Sequence, residues 1–269
     1  MHVSGLRPSK AASFLLALFF AAPTLAQEFA VEVTPPRFED SARPGTVYRN
    51  VIEINNTSAG TARLAVRTAD WSLNEQGSAE FDYGLVPGSC RPWVGIEASE
   101  VSVPSRGRKR FRFEVDVPAD APSGECRFGL MIEGEPALIE GGPPVPVAAR
   151  IGIIVYLAIG DAAPALEVVE VRSAEVGGSR VPVLRIRNSG NAHGRLQGFI
   201  ESTDASGRRI TWIPSSSPIL AGDTRDISLH ALAEGDEQAP EPVWPLRIRG
   251  RLDAGKGRVD VDAEVGASQ

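Results

Sequence analysis

VPVAARIGIIVYLAI, residues 145–159, places an apolar side chain at every second position: Val145, Val147, Ala149, Ile151, Ile153, Val155, Leu157 and Ile159. A period of two is that of a β-strand, whose successive side chains point to opposite faces. The other phase, Pro146, Ala148, Arg150, Gly152, Ile154, Tyr156 and Ala158, is mixed, so the odd-numbered face is the one expected to be more fully buried. Such a strand either fills a sandwich core or lends its edge to another chain, and that choice decides the function. The segment follows a Gly/Pro-rich loop at 135–144 and precedes a domain boundary expected at 160–164.

Upstream, strand patterns follow one another with few helix signals. Val31 and Val33 alternate with polar neighbours, and residues 47–54 run into the turn residues Asn55, Asn56, Thr57 and Ser58. Ala62, Leu64 and Val66 alternate with Arg63, Ala65 and Arg67. Phe111, Phe113, Val115 and Val117 alternate with Arg112, Glu114 and Asp116, and Cys126, Phe128, Leu130 and Ile132 share one face. Short strands with turn signals between them are the pattern of an immunoglobulin-like sandwich, in which Trp71 and Trp93 read as core fillers.

Downstream the style repeats. Leu184 and Ile186 alternate before a turn at 188–191, residues 196–201 and 210–213 read as strands, and 231–244 as a loop. Folding the end of the chain about Gly255 and Lys256 sets Arg251 opposite Asp260, Arg249 opposite Asp262 and Arg247 opposite Glu264, while Leu252 meets Val259 and Ile248 meets Ala263. Charge and apolarity match on both faces at once, as in a two-residue hairpin with glycine at its first central position. The fold expected is therefore all-β, two immunoglobulin-like β-sandwich domains in tandem, over residues 27–160 and 165–269.

Residues 1–26 read as a secretory signal: Arg7 and Lys10, an apolar stretch over 11–22, and the small-residue site Thr24, Leu25, Ala26. No later segment offers the roughly 18 apolar residues of a membrane helix, so a soluble, periplasmic protein without membrane insertion is expected. The chain carries a formal net charge of −6, and the signal holds basic residues and no acids, so nucleic acid is an unsuitable partner. In an oxidising compartment the two cysteines, Cys90 and Cys126, most simply form one disulfide.

Catalytic signatures are lacking. His193 and His230 are isolated, His193 in a turn where exposure is expected, and there is no Gly-x-Ser-x-Gly elbow, His-Glu-x-x-His or phosphate-binding glycine loop. Neither a metal site, a cofactor nor an enzyme is expected.

Together these features resemble the periplasmic pilus (fimbrial) assembly chaperones, as a divergent member. The resemblance rests on Pro44-Gly45 before strand 47–54 and its terminal Asn55-Asn56, on Arg63-Leu64-Ala65-Val66 leading to Trp71, on Val101-Ser102-Val103-Pro104 before Phe111, and above all on the run from Ala149 to Tyr156. It implies a chaperone that caps pilus or surface-fibre subunits by donating an edge strand, through Val145, Val147, Ala149 and Ile151. An outer-membrane usher is the second partner it implies. The family anchors its client's terminal carboxylate with two basic residues. Gly152 stands about where the second would be, with Arg150 two residues earlier on the same face, and Arg37 is the nearest counterpart of the first. The alternative is a non-catalytic immunoglobulin-like adhesion or scaffold protein of the cell envelope.

Overall fold

The computed structural model describes residues 30–138, 145–233 and 241–266. The secretory signal, Pro144 with most of its loop, and much of the loop expected at 231–244 lie outside them. Among the described residues the chain is all β apart from one 3-10 turn, Arg91–Trp93.

The first sandwich contains β1 (Val31–Thr34), β2 (Arg37–Ala42), β3 (Val47–Asn56), β4 (Ala62–Leu73), β5 (Ala79–Asp82), β6 (Val94–Ile96), β7 (Glu100–Val103), β8 (Arg108–Asp116), β9 (Gly124–Gly134), β10 (Ala137–Leu138), β11 (Pro146–Val147) and β12 (Arg150–Ile159). One sheet runs β1-β3-β8-β6 and the other β2-β12-β9-β4-β5, with β7 also on β4. The alternation read in β8 is the reason for its place: Phe111, Phe113 and Val115 are buried and Arg110, Arg112 and Glu114 exposed. Ile52, Ile54 and the β8 residues pack against Leu64, Val66, Phe128, Leu130, Ile132, Ile153, Val155 and Leu157 of the opposite sheet. The Cys90–Cys126 disulfide lies in this core, with Cα atoms 5.5 Å apart.

Two features of this sandwich differ from the sequence reading. The strand expected over 145–159 is broken at 148–149 into β11 and β12. In addition, the N-terminal strand crosses between sheets: β1 pairs with β3, and after Pro35 and Pro36 the chain joins the other sheet as β2, parallel to β12.

The second sandwich contains β13 (Leu166–Val176), β14 (Ser179–Asn188), β15 (Ile200–Asp204), β16 (Arg209–Pro214), β17 (Thr224–Ala231), β18 (Leu246–Ala254) and β19 (Gly257–Val265), in the ladder order β13-β14-β17-β16-β15-β18-β19. It folds over one core holding Leu184, Ile186, Ile210, Trp212, Ile227, Ile248 and Val261. The final hairpin has the register read from the sequence, Arg251 opposite Asp260 through Arg247 opposite Glu264, and Gly255 turns it at φ +71°. The strand expected from Leu196 begins only at Ile200, because Gln197 exchanges main-chain hydrogen bonds with Asp253 and Gly198 adopts positive φ.

His193 is not exposed. It is packed between the sandwiches, its side chain 12% exposed, its ring stacked on Tyr156 with centroids 3.7 Å apart and its Nδ1 on Glu125. Nε2 lies 3.0 Å from Arg195 Nη1, which only donates because it has no lone pair to accept with, so Nε2 accepts and Nδ1–H faces Glu125. Arg195 also pairs with Glu39, Asn191 Nδ2 donates to the Ser123 carbonyl, and Arg225 donates to the carbonyls of Leu73 and Asn74. Trp71, Tyr156 and Leu220 form a small apolar cluster between the two sandwiches, so Trp71 is buried there and not in the first sandwich's own core. Burial, the largest influence, pushes the Tyr156 phenol up to about 12.

Candidate partner-strand site

The N-terminal crossover determines which part of β12 remains available. On one flank β12 pairs with β9 along its whole length, Arg150 opposite Glu133 to Ile159 opposite Gly124. On the other, β2 covers only Ile154 to Ile159, starting with Arg37 opposite Ile154. Upstream of Arg37 stand Pro36 and Pro35, which carry no N–H to continue the ladder. No strand among the described residues pairs with that flank of Arg150–Ile153.

The main-chain groups left there can be identified. Ile154 and Gly160 donate toward β2, to the carbonyls of Pro36 and Ala42, while the Ala149 carbonyl accepts from Gly134 on the β9 side. Even-numbered residues therefore turn their N–H and C=O toward the β2 flank, which leaves those of Arg150 and Gly152 facing outward. Pro146 shares that phase and offers only a carbonyl.

The four residues expected to enter a partner are graded in exposure. Val145 is 58% and Val147 47% exposed, Ala149 is intermediate, and Ile151 is half-buried against the first core. From Ile153 onward the same phase belongs to the protein's own core. The apolar row thus passes from core into open surface just upstream of the point where β2 begins.

The two expected anchors are not brought together. Arg37 pairs with Glu39, Nε to Oε1 2.7 Å, further along β2. Arg150 reaches across β12 to Glu133 on β9, at 2.9 Å. Their register positions lie four residues apart along β12, about 13 Å at strand rise. Instead, Arg150 shares Glu133 with Arg67, which sequence reasoning placed on the outward phase of β4 without assigning it a role. Arg67 and the Tyr83 hydroxyl both bond to Glu133, and the Tyr83 ring lies 4.2 Å from the Arg67 guanidinium and 5.4 Å from that of Arg150. Burial raises the Glu133 pKa, but the bonds from Arg67 and Tyr83 and the charge of Arg150 outweigh it, so the carboxyl lies below its ordinary value.

Beside this cluster, Phe81 of β5 lies flat on two glycines. A Cβ on Gly152 would meet Phe81 Cζ at 2.8 Å, and one on Gly129 would meet Phe81 Cε1 at 2.9 Å. Any side chain at position 152 would have to displace Phe81, so the site expected near there for a second basic residue is held by glycine. Among the described residues no group of His, Cys, Asp and Glu is placed to hold a metal, and no helix is long and apolar enough to cross a membrane.

No protein-family model matches the chain, and no curated protein matches it. Among solved structures the chain is similar to the YadV chaperone, at 9% identity over 87% of this chain and 99% of that one, with a TM-score of 0.47. It is also similar to the CsuC–CsuE chaperone–tip subunit complex of the archaic chaperone-usher Csu pili of Acinetobacter baumannii, at 13% identity over 87% and 97%, TM-score 0.45. A protein of unknown function from Porphyromonas gingivalis W83 is similar at 15% identity over 88% and 100%, TM-score 0.35.

Proposed function

We propose that the chain is a non-catalytic periplasmic chaperone, exported by its N-terminal signal, that caps a pilus or surface-fibre subunit by lending it the edge of β11 and the first half of β12. The observation that carries this reading is the unpaired flank of Arg150–Ile153 beside the exposed Val145 and Val147. A subunit lacking one strand gains main-chain hydrogen bonds from the Arg150 and Gly152 peptides, and Val145, Val147, Ala149 and Ile151 enter its groove. An aggregation-prone edge on each partner is thereby covered. Arg150, with Arg37 as its more distant companion, is the candidate anchor for the subunit's terminal carboxylate, and an outer-membrane usher is the acceptor for the loaded complex.

The test is co-purification of the exported protein with its partners, identified by mass spectrometry. Val145→Lys with Val147→Lys should abolish recovery of the fibre subunit and leave the protein's own unfolding midpoint unchanged, because both side chains are exposed. Arg150→Ala should weaken capture with the fold intact. Recovery only as a guest-free protein, with surface fibres intact after gene deletion, would overturn the reading. That outcome would favour an adhesion or scaffold module, for which the two-sided pairing of Ile154–Ile159 is the supporting feature.

A further inference from the structure

Two guanidinium groups converge on one carboxylate beside the open edge. Arg67 and Arg150 both pair with Glu133, whose side chain is 12% exposed, while theirs are 52% and 50% exposed. Tyr83 donates to the same carboxylate and its ring backs both guanidiniums. The cluster therefore holds one uncompensated positive charge. Arg67 sits on β4, two strands away from the open flank, whereas Arg150 sits on β12, the strand that borders it. Glu133 lies between them and is satisfied from the inner side by Arg67 and Tyr83. Arg150 approaches it through Nε, and with its side chain half exposed it has further N–H donors to offer another acceptor.

We infer that Arg150, which stands in the middle of the open span, receives a side-chain carboxylate from the guest strand in place of a terminal one, and that Arg67 is the positioning residue that makes this possible by neutralising Glu133 from the far side. The inference rests on the strand-lending reading and specifies its guest. A strand added along the open flank places the residue opposite Arg150 about 5 Å away, Cβ to Cβ. Its outward phase lies on the face of Arg150, and its other phase on the face of Val147, Ala149 and Ile151. The guest is thus an extended segment with apolar residues in one phase and an Asp or Glu in the other, at the position opposite Arg150. Arg150 alone beside Glu133 would be a closed ion pair, and Arg67 keeps it open.

The test uses two labelled, acetylated and amidated nonapeptides of alternating valine and threonine, one with a central Glu and one with a central Gln in the threonine phase. Binding to the full chain is read by fluorescence anisotropy at low salt. The Glu peptide is expected to bind about fivefold tighter, a preference that high salt erodes. Arg67→Gln, which touches no guest atom, should bring the two peptides to equal affinity with the Gln peptide unaffected. Glu133→Gln should widen the preference beyond the wild-type ratio. Equal affinity in the wild type, or one ratio across wild type and both variants, overturns the inference and leaves strand lending standing. Failure of both peptides to bind overturns strand lending and the inference with it.

Discussion

Gly152→Ala is expected to destabilise the protein chiefly through its clash with Phe81. The added Cβ would stand 2.8 Å from Phe81 Cζ, 3.2 Å from Met131 Cε and 3.3 Å from Met131 Sδ, where carbon atoms prefer about 3.5–4.0 Å. The ring cannot slide sideways to relieve this, because it lies equally close to Gly129 on the neighbouring strand. It must lift from both strands, an overpacking cost of about 1–3 kcal/mol. Alanine also restricts the unfolded chain, which offsets about 0.4–1 kcal/mol, so a net loss of about 1–2 kcal/mol is expected. The measurement is urea unfolding of wild type, Gly152→Ala, Phe81→Ala and the double variant. In the Phe81→Ala background only the flexible Met131 side chain stays close to the new Cβ, and the Gly152→Ala cost should fall below about 0.5 kcal/mol, the scale on which independent substitutions add. A Gly152→Ala variant as stable as wild type, or one equally destabilised with and without Phe81, would refute the reasoning. It would also reopen position 152 to a basic side chain.

Three further outcomes are expected. Replacing both Cys90 and Cys126 by alanine opens a loop with a sequence separation of 36, for which chain entropy gives a loss of about 4 kcal/mol, read from denaturant midpoints against the oxidised protein. His193→Ala removes the contact to Glu125, whose side chain is 4% exposed, and the stack on Tyr156. A loss of about 2 kcal/mol and an increased radius by small-angle X-ray scattering should follow, and unchanged values of both would show that the cluster does not brace the two sandwiches. Asp204 accepts from the Ser206 hydroxyl and from the N–H groups of Ser206, Arg208 and Val243, which hold its pKa well below the ordinary carboxylate range. The unfolded state therefore binds the proton more readily, so this contribution is complete above about pH 4 and fades as the pH falls further; the stability-against-pH slope in acid should be shallower in Asp204→Asn.

Where one strand's own alternation decides the outcome, the sequence was sufficient. Phe111, Phe113 and Val115 point inward because Arg112 and Glu114 cannot, and the last hairpin has a single register that pairs charges and hides apolar groups together. The candidate site was legible in part for the same reason: Val145 and Val147 lie on the phase of the core residues Ile153 and Val155, but beyond the end of the core. What escaped depends on non-local register. Arg67 and Glu133 each stood on an outward phase, yet only the pairing of β4 with β9 brings them together. His193 looked like a solvated turn residue because its partners, Glu125 and Tyr156, come from the other sandwich. The break at 148–149 and the crossover of the first strand were also missed, although Pro35 and Pro36 were there to mark the crossover.

Those two prolines explain why an open edge can exist here without being a hazard. β2 occupies this flank of β12 from Arg37 onward, so on the strand-lending reading a guest must stop at Pro36. At the other end Pro146 offers no donor, which restricts full pairing to residues 147–153, about 23 Å at strand rise and close to an ordinary strand length. Arg150 then places a charge in the middle of that span, the device by which edges discourage indiscriminate pairing. Only a segment of matching length, with its apolar residues on the Val147 face and an acid on the other, satisfies every group the flank presents. If the edge is lent as proposed, the features that limit it are the same ones that would select its guest.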